Sequence, residues 1–127
     1  MDDSTTTIGQ LKSVIMEFAA ERDWEQFHTP KNLSMSVAIE AAELMEHFQW
    51  TRPGEVENFD EAKRLEIREE LADVICYCLA FANTMNIDIA EAFEHKMARN
   101  REKYPAEEFK GLYGHNDPDY AARGEQR

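Results

Sequence analysis

Four acidic residues occur in two pairs with the same spacing. Glu40 and Glu43 are three positions apart, and Glu70 and Asp73 repeat that separation further along the chain. Residues at positions i and i+3 of an α-helix lie on one face, with about 5–6 Å between their Cβ atoms. If each pair lies on its own helix and the two helices pack antiparallel, the four carboxylates converge on one point.

Such a group of carboxylates is costly unless a cation neutralises it. Ligand sets made only of oxygen select a hard ion, so Mg²⁺ is expected, with Mn²⁺ as the alternative, rather than Zn²⁺. Mg²⁺ normally keeps positions open for water and for substrate phosphates. A carboxylate that the ion does not fully occupy would orient or deprotonate a water for in-line attack on phosphorus, with pyrophosphate leaving.

The residues around these acids distinguish them from acidic residues on an ordinary solvated helix face. Acidic residues are common on solvated helix faces, and an E-x-x-E pair alone is a weak signal. Here Glu40 and Glu43 lie within the apolar run 37–45, and Asp73 lies within the apolar run 71–77. Because an unpaired buried charge is severely destabilising, these runs favour a metal site over a purely solvated face.

Aromatic residues continue the same helix faces. Trp50 follows Glu43 by seven positions, and Tyr77 follows Asp73 by four. An aromatic ring one or two turns from a metal site is suitably placed to stack on a base or to close a pocket around a sugar. A position in the core is the alternative for each of them.

A cation and an amide recur on a later helix. Lys96 and Asn100 are four positions apart, so they project from one side of a helix. They are suited to hold the outer phosphates of a ligand. The alternative for Lys96 is a solvated cation on an acidic protein.

Helical periodicity dominates the chain, and no strand pattern competes with it. The sequence therefore predicts an all-α fold, a four-helix bundle. Asn32 and Asp88 are expected to cap the second and fourth helices, and Phe93 is expected to point inward. The expected helix limits are residues 5–22, 32–50, about 60 to 83–86, and 89–103.

One domain and a tail are expected. Residues 1–106 are predicted to form the helical domain, and 107–127 a weakly ordered tail or an arm that packs on a neighbour. A bundle of about 100 ordered residues is small for a polar site at its centre. Assembly into a homo-oligomer is therefore expected, because it would bury the remaining apolar surface.

Charge and composition exclude several classes of partner. The chain carries 14 basic and 26 acidic residues, a formal net charge of -12, which argues against a nucleic-acid partner. The N-terminus has no signal-peptide pattern, and no stretch approaches the roughly 20 apolar residues of a membrane span. A cytoplasmic protein without a membrane partner is expected. Cys76 and Cys78 are expected to be small core residues rather than a disulfide.

The two acidic pairs resemble a family signature. Glu40-x-x-Glu43, 26 intervening residues, then Glu70-x-x-Asp73 is similar to the E-x-x-E, spacer, E-x-x-D signature of the all-α nucleoside triphosphate pyrophosphatases of the MazG-like type. Longer strings resemble the dCTP pyrophosphatase branch of that superfamily over about residues 10–106. These strings are FAAERDWEQFH at 18–28, EAAELMEHFQW at 40–50, and KM, NR and KYP within 96–105.

The resemblance implies a Mg²⁺-dependent enzyme that cleaves a (deoxy)nucleoside triphosphate to the monophosphate and pyrophosphate. It implies a tetramer, built as a dimer of dimers, with sites at subunit interfaces. The residues that it implicates in binding the metal ion and supporting water attack are Glu40, Glu43, Glu70 and Asp73. Those that it places near the phosphates are Lys96, Asn100 and Arg101, and those that it places around the base are Trp24, His28, Trp50 and Tyr77.

The base of the substrate is the less determined part of this hypothesis. A first-helix His of some animal members falls at Ile15 in this sequence. We expect dCTP or a modified dCTP first, with dATP, dUTP or another noncanonical nucleotide as alternatives, and phosphoribosyl-ATP as a related substrate. The biological purpose implied is cleaning or balancing the nucleotide pool. A different class of protein, a noncatalytic helical oligomer with a structural or regulatory metal site, also fits the acidic pairs.

Overall fold

The structure is a computed structural model that describes residues 1–124. All regular elements in this part of the chain are helical, as predicted. They fall into two compact units, Met1–Ile87 and a second unit that begins at Asp88. The helices are α1 Ile8–Glu21, α2 Pro30–Glu46, α3 Glu61–Thr84, α4 Ile89–Lys103, α5 Ala106–Phe109 and α6 Pro118–Gly124, with short 3-10 turns at Glu25–Phe27 and Val56–Asn58.

Thr7, the last residue of a threonine run, caps α1. Thr7 and Gln10 form a reciprocal capping box, in which the Gln10 amide donates to the Thr7 hydroxyl at 3.2 Å and the Thr7 amide donates to the Gln10 side chain at 2.7 Å. This box places the first helical residue at Ile8 rather than at the predicted residue 5.

The start of α2 differs from the prediction. Thr29, not Asn32, is the N-cap: its hydroxyl accepts from the Asn32 amide at 3.2 Å. Pro30 occupies the first helical position, where proline is favoured because that residue needs no N–H donor. The prediction of a helix start at residue 32 was wrong, because a proline is typical of a loop end as well as of the first residue of a helix.

The end of α2 also falls earlier than predicted. The helix ends at Glu46, and Phe48 and Thr51 donate backbone hydrogen bonds to carbonyls only three residues back, at 2.9 Å each. The segment from His47 to Trp50 is therefore a turn and not helix.

α3 begins where the sequence predicts. The Asp60 carboxylate accepts from the Lys63 amide at 2.8 Å and caps the helix. The Arg64 guanidinium donates to the carbonyls of Val56, Glu57 and Phe59 at 3.0–3.3 Å. Arg64 thereby fixes the turn that leads into α3.

α2 and α3 run antiparallel in the first unit. Phe48, after the end of α2, contacts Phe59, before the start of α3, with 6.0 Å between ring centroids. Glu40, two residues after the middle of α2, lies close enough to influence Tyr77, far along α3. The same side of the pair therefore carries both acidic pairs.

Small side chains form the centre of the first unit. Its buried apolar residues are Ala19, Leu33, Leu79, Ala80 and Ala82. Three alanines among them let helix backbones approach closely. The end of α3 is tied to α1 by hydrogen bonds, because Lys12 donates to the Ile87 carbonyl at 2.8 Å and the Asn83 amide donates to the Lys12 carbonyl at 3.0 Å.

The second unit joins α4 to a compact aromatic cluster. Asp88 caps α4 as predicted, its carboxylate accepting from the Glu91 amide at 3.0 Å. Phe93, predicted to point inward, is instead 67% exposed. The cluster is centred on the buried Phe109, whose ring lies 4.7–5.1 Å from its neighbours, which are Tyr104, His115 and Tyr120.

The segment predicted as a tail contributes Phe109, His115 and Tyr120 to this cluster and contains α6. The Arg123 side chain donates to the Lys110 carbonyl at 2.7 Å, so residues near both ends of the segment are connected. Residues 125–127 lie outside the described part of the chain. The limit between domain and tail at residue 106 stays a prediction. No described helix combines the length and apolar character that crossing a membrane requires.

Candidate functional site

Three of the four predicted acids converge. Glu40, Glu43 and Glu70 each place one carboxylate oxygen within 4.8 Å of the others. Glu40 and Glu70 are half-buried, whereas Glu43 is exposed. The antiparallel arrangement of α2 and α3 brings these carboxylates together, and we call them the acidic cluster.

The acidic cluster concentrates negative charge around Glu40. Partial burial raises the pKa of Glu40, and a hydrogen bond with Glu43 and the charges of Glu43, Asp73 and Glu70 raise it further. Each of these causes disfavours the ionised form of Glu40. A cation at this point would reverse that effect, because it stabilises every carboxylate of the cluster at once.

Asp73 lies beside the acidic cluster but outside its group of three. Its side chain is exposed, and its charge contributes to the raised pKa of Glu40 and of Tyr77. The pairing of α2 with α3 thus places all four predicted acids in one region. Within that region Asp73 lies outside the group of three carboxylates.

The donor atoms of the acidic cluster fit a hard divalent cation. They are all carboxylate oxygens, the ligand type that Mg²⁺ and Mn²⁺ prefer. The nearby Cys76 does not change this character. Burial, with the charge of Asp73, raises the pKa of the Cys76 thiol, and a protonated thiol is a poor metal ligand. Cys76 and Cys78 are both free, and Cys78 is exposed, so its expected core position is wrong.

An apolar cavity of about 430 Å³ adjoins the acidic cluster. Residues of α1, of the segment after α1 and of α3 line it, and Asp73 is one of them. Two aromatic rings make one wall: Phe18 and Trp24 meet edge to face with 5.7 Å between centroids. The guanidinium of Arg22 lies 3.7 Å from the Phe18 centroid and supports that wall from outside the aromatic pair.

Three of the four residues predicted around a base line this cavity together. They are Trp24, His28 and Tyr77, and Ile15 lines it as well. Burial raises the pKa of Tyr77, and the charges of Glu40 and Asp73 add to that shift, so its hydroxyl remains a hydrogen-bond donor at neutral pH.

The other predicted substrate residues lie elsewhere in the chain. Trp50 is 86% exposed and is not among the described residues that line the cavity. Lys96, Asn100 and Arg101 lie on α4, in the second unit. Of these, Lys96 and Asn100 line a shallow polar depression on that helix.

A histidine that the sequence analysis did not single out contacts the acidic cluster. The His47 side chain is only 13% exposed, and its Nε2 lies 3.9 Å from Glu70 Oε1. Its Nδ1 lies 4.0 Å from Glu66 Oε2. The signal in the sequence was its position four residues after Glu43, which continues the acid-bearing face of α2 to the C-cap residue.

Fold and site define an all-α protein in which two antiparallel helices present a carboxylate cluster beside an aromatic cavity. The sequence profile of the MazG-like family matches residues 35–114, which include all four acids. The chain belongs to the MazG-like family.

Similar proteins include dCTP pyrophosphatase 1 of several mammals. The mouse protein is 42% identical over 102 residues, covering 78% of this chain and 59% of the relative. The human protein is 42% identical over 102 residues, covering 79% and 60%. The bovine protein is 40% identical over 105 residues, covering 80% and 62%. The chain thus spans about three fifths of the length of these relatives.

A solved structure shares the fold. The crystal structure of a pyrophosphatase from Archaeoglobus fulgidus DSM 4304 superposes with a TM-score of 0.72 at 40% sequence identity. The match covers 83% of this chain and 98% of the archaeal chain.

Proposed function

We propose that this protein is a Mg²⁺-dependent nucleoside triphosphate pyrophosphatase, with dCTP or a modified dCTP as substrate, acting in the cytoplasm on the nucleotide pool. The observation that carries the proposal is the acidic cluster beside an aromatic cavity. Asp73 connects the two, because it lines the cavity and its charge acts on Glu40 of the cluster. The names of the mammalian relatives support this substrate, and that of the archaeal structure supports pyrophosphatase chemistry.

The net charge of the chain makes a metal ion necessary for this activity. A triphosphate is repelled by a protein whose formal charge is -12. In the proposed site Glu40, Glu43 and Glu70 hold the ion, with Mn²⁺ as an alternative to Mg²⁺. When bound, the ion neutralises phosphate oxygens and the developing charge on the leaving pyrophosphate.

We assign Asp73 a role toward the attacking water. Its carboxylate is exposed and lies outside the group of three, so we assign it to complete the metal site and to orient the water, accepting its proton. The water oxygen forms a bond to phosphorus. The phosphoanhydride bond between the α- and β-phosphates breaks, and the nucleoside monophosphate and pyrophosphate are released.

The cavity supplies the surroundings of the base. Trp24 and Tyr77 offer aromatic surfaces, and His28 and the Tyr77 hydroxyl offer polar atoms for the edge of the base. His28 is held in place through its backbone, because the Thr84 hydroxyl donates to the His28 carbonyl at 3.3 Å. We assign Lys96, Asn100 and Arg101 to the phosphates.

We further propose that the active form is a homotetramer, a dimer of dimers. Large apolar side chains remain exposed along α1, α2 and α3, including Met16, Ile39, Leu65 and Ile75, which are 45–55% exposed. A stable soluble protein rarely leaves so many such residues in water without a partner. Assembly is also the step that would give the exposed Trp50 a place in a substrate site.

The decisive experiment is a screen of common and modified (deoxy)nucleoside triphosphates with Mg²⁺, measuring pyrophosphate release. We expect the highest kcat/KM with dCTP or a 5-substituted dCTP, and no turnover in EDTA. A preference for dATP, dUTP or phosphoribosyl-ATP would support the proposed pyrophosphatase reaction but show that the proposed substrate is wrong. Release of orthophosphate instead of pyrophosphate would contradict the mechanism.

The same screen separates an enzyme from a noncatalytic metal-binding oligomer. If the protein only binds a metal ion, the wild type turns over no triphosphate, while Glu43→Gln still weakens metal binding. If it is the proposed enzyme, Glu43→Gln lowers both metal affinity and turnover.

A further inference from the structure

We propose that His47 is a positioning residue for the metal site, because it restrains the carboxylate of Glu70. This inference rests on the proposed metal-binding role of the acidic cluster. The two nitrogens of the imidazole are its only hydrogen-bonding atoms, and each lies near one carboxylate of α3. Nε2 is 3.9 Å from Glu70 Oε1, and Nδ1 is 4.0 Å from Glu66 Oε2.

The backbone of His47 is fixed at the end of α2. It is the C-cap residue, with helical backbone angles, and its carbonyl accepts from the Thr51 hydroxyl at 3.3 Å. The side chain is 13% exposed, so the ring has little freedom to turn toward solvent. A histidine held in this way presents its nitrogens to α3 at a defined place.

Glu70 is the ligand that benefits from such a neighbour. A glutamate side chain has three rotatable bonds, so its carboxylate samples several positions unless contacts restrict it. Glu40 has Glu43, three residues away on the same face of α2, as its neighbour within the acidic cluster. Glu70 has His47 as a polar neighbour outside the acidic cluster.

Glu66 and Lys63 lie on the side of His47 away from Glu70. Lys63 Nζ lies 4.0 Å from Glu66 Oε2, the same oxygen that lies 4.0 Å from His47 Nδ1. Glu66 and Glu70 are four residues apart on one face of α3. The ring of His47 therefore lies between an outer, half-exposed pair and the metal-binding carboxylate.

These separations exceed a direct hydrogen bond, which spans about 2.7–3.2 Å. In the proposal, a rotation of either side chain closes this separation to a hydrogen bond, and that bond limits the movement of the Glu70 carboxylate. Groups that orient metal ligands from behind typically change metal affinity or activity by about 10–100-fold when they are removed. We expect an effect at the lower end of that range.

The test is the binding of Mn²⁺ alone to the 127-residue chain, measured by the electron paramagnetic resonance signal of free Mn²⁺. His47→Leu keeps the approximate volume and removes both nitrogens, so its dissociation constant for Mn²⁺ should rise about tenfold. His47→Gln keeps an N–H donor of similar reach and should restore most of the affinity. His95→Leu, the same substitution at an exposed histidine of α4, is the matched control and should bind Mn²⁺ like the wild type.

Thermal unfolding in EDTA separates positioning from folding. We expect His47→Leu to weaken Mn²⁺ binding by more than its change in Tm without metal can explain. If His47→Leu does not fold, His47→Asn is tested in its place. The Asn side chain is too short to reach Glu70, so this variant should also weaken Mn²⁺ binding. Folded His47→Leu or His47→Asn protein that binds Mn²⁺ like the wild type overturns the proposal.

A second outcome concerns the metal site itself. If the wild type does not bind Mn²⁺, or Glu43→Gln binds it unchanged, the acidic cluster is not the metal site, and the proposed function fails with it. If the wild type and Glu43→Gln behave as expected while the His47 variants do not, only the role of His47 is rejected.

Discussion

Single side chains decide what the acidic cluster can do. Glu40, Glu43 and Glu70 are close enough to share one ion, while Asp73 stands next to them with an exposed carboxylate. Four carboxylates that look equivalent in the sequence therefore have different surroundings in the fold. The difference gives Asp73 and Glu40 separate, measurable signatures.

We expect Asp73→Asn to lower kcat by at least about 10²-fold, the scale of a lost general base. The amide keeps the size of the side chain but neither accepts the proton of water nor carries charge. Because Asp73 is exposed, the circular dichroism spectrum should stay that of the wild type. Glu17→Gln, at an exposed glutamate of α1, is the control and should leave kcat unchanged. An active Asp73→Asn enzyme would remove Asp73 from the mechanism.

Glu40 should make the metal-free protein less stable as the pH rises. Its pKa is raised above the ordinary value of 4.5, so the folded state binds this proton more tightly than the unfolded state. The contribution of Glu40 to stability is therefore fully present below the unfolded pKa and is lost as the pH rises through the folded pKa.

Urea unfolding in EDTA between about pH 4 and 7 measures this effect. The stability of the wild type should fall relative to that of Glu40→Gln over this interval, and saturating Mg²⁺ should reverse the fall. Parallel pH profiles for the two proteins would show that Glu40 is not the group responsible.

Trp24→Ala should raise KM about tenfold, since stacking of a base on an aromatic side chain contributes about 1–3 kcal/mol. The ratio of kcat/KM values between dCTP and other triphosphates should also change. Phe27→Ala alters an exposed aromatic in the 3-10 turn that follows Trp24 and should retain the KM of the wild type. Equal effects of the two substitutions would mean that the cavity is not the base pocket.

At the scale of the elements, α2 and α3 bring the acids together, and the ends of α2 set their register. Pro30 occupies the first helical position, and Thr29 closes the helix start with its hydroxyl. α2 ends at Glu46. The Arg64 guanidinium then donates to the carbonyls of Val56 and Phe59 in the segment before α3. These ends fix the antiparallel pairing on which the acidic cluster depends.

Thr29→Ala should lower the free energy of unfolding by about 1 kcal/mol, as is typical for loss of an N-cap side chain. Thr29→Ser keeps the hydroxyl and should remain within about 0.5 kcal/mol of the wild type. Chemical denaturation of both variants gives the comparison. If Thr29→Ala is as stable as Thr29→Ser, the hydroxyl does not cap α2.

At the scale of the whole molecule, exposed apolar side chains are the feature that the single chain does not explain. Trp50 and Phe93 are 86% and 67% exposed, respectively. If the proposed tetramer covers them, light scattering on the eluted protein should give a mass about four times 14.8 kDa. A mass of one chain at working concentration, with full activity, would reject the tetramer and any shared site.

Local sequence patterns determined the helices and the acidic pairs. The period of apolar residues and the caps at Asp60 and Asp88 indicate helix positions directly, because a cap acts on residues three positions away. The i, i+3 spacing likewise placed each acidic pair on one helix face. Proline at Pro30 misled the prediction, since proline both ends helices and begins them.

Only the tertiary structure decided which groups meet across helices. That His47 reaches Glu70, that Asp73 lines the cavity with Trp24, and that Phe109 gathers an aromatic cluster all depend on how helices pair and rotate about their axes. Periodicity fixes the face on which a side chain lies, but the neighbour of that face is set by packing between segments distant in sequence.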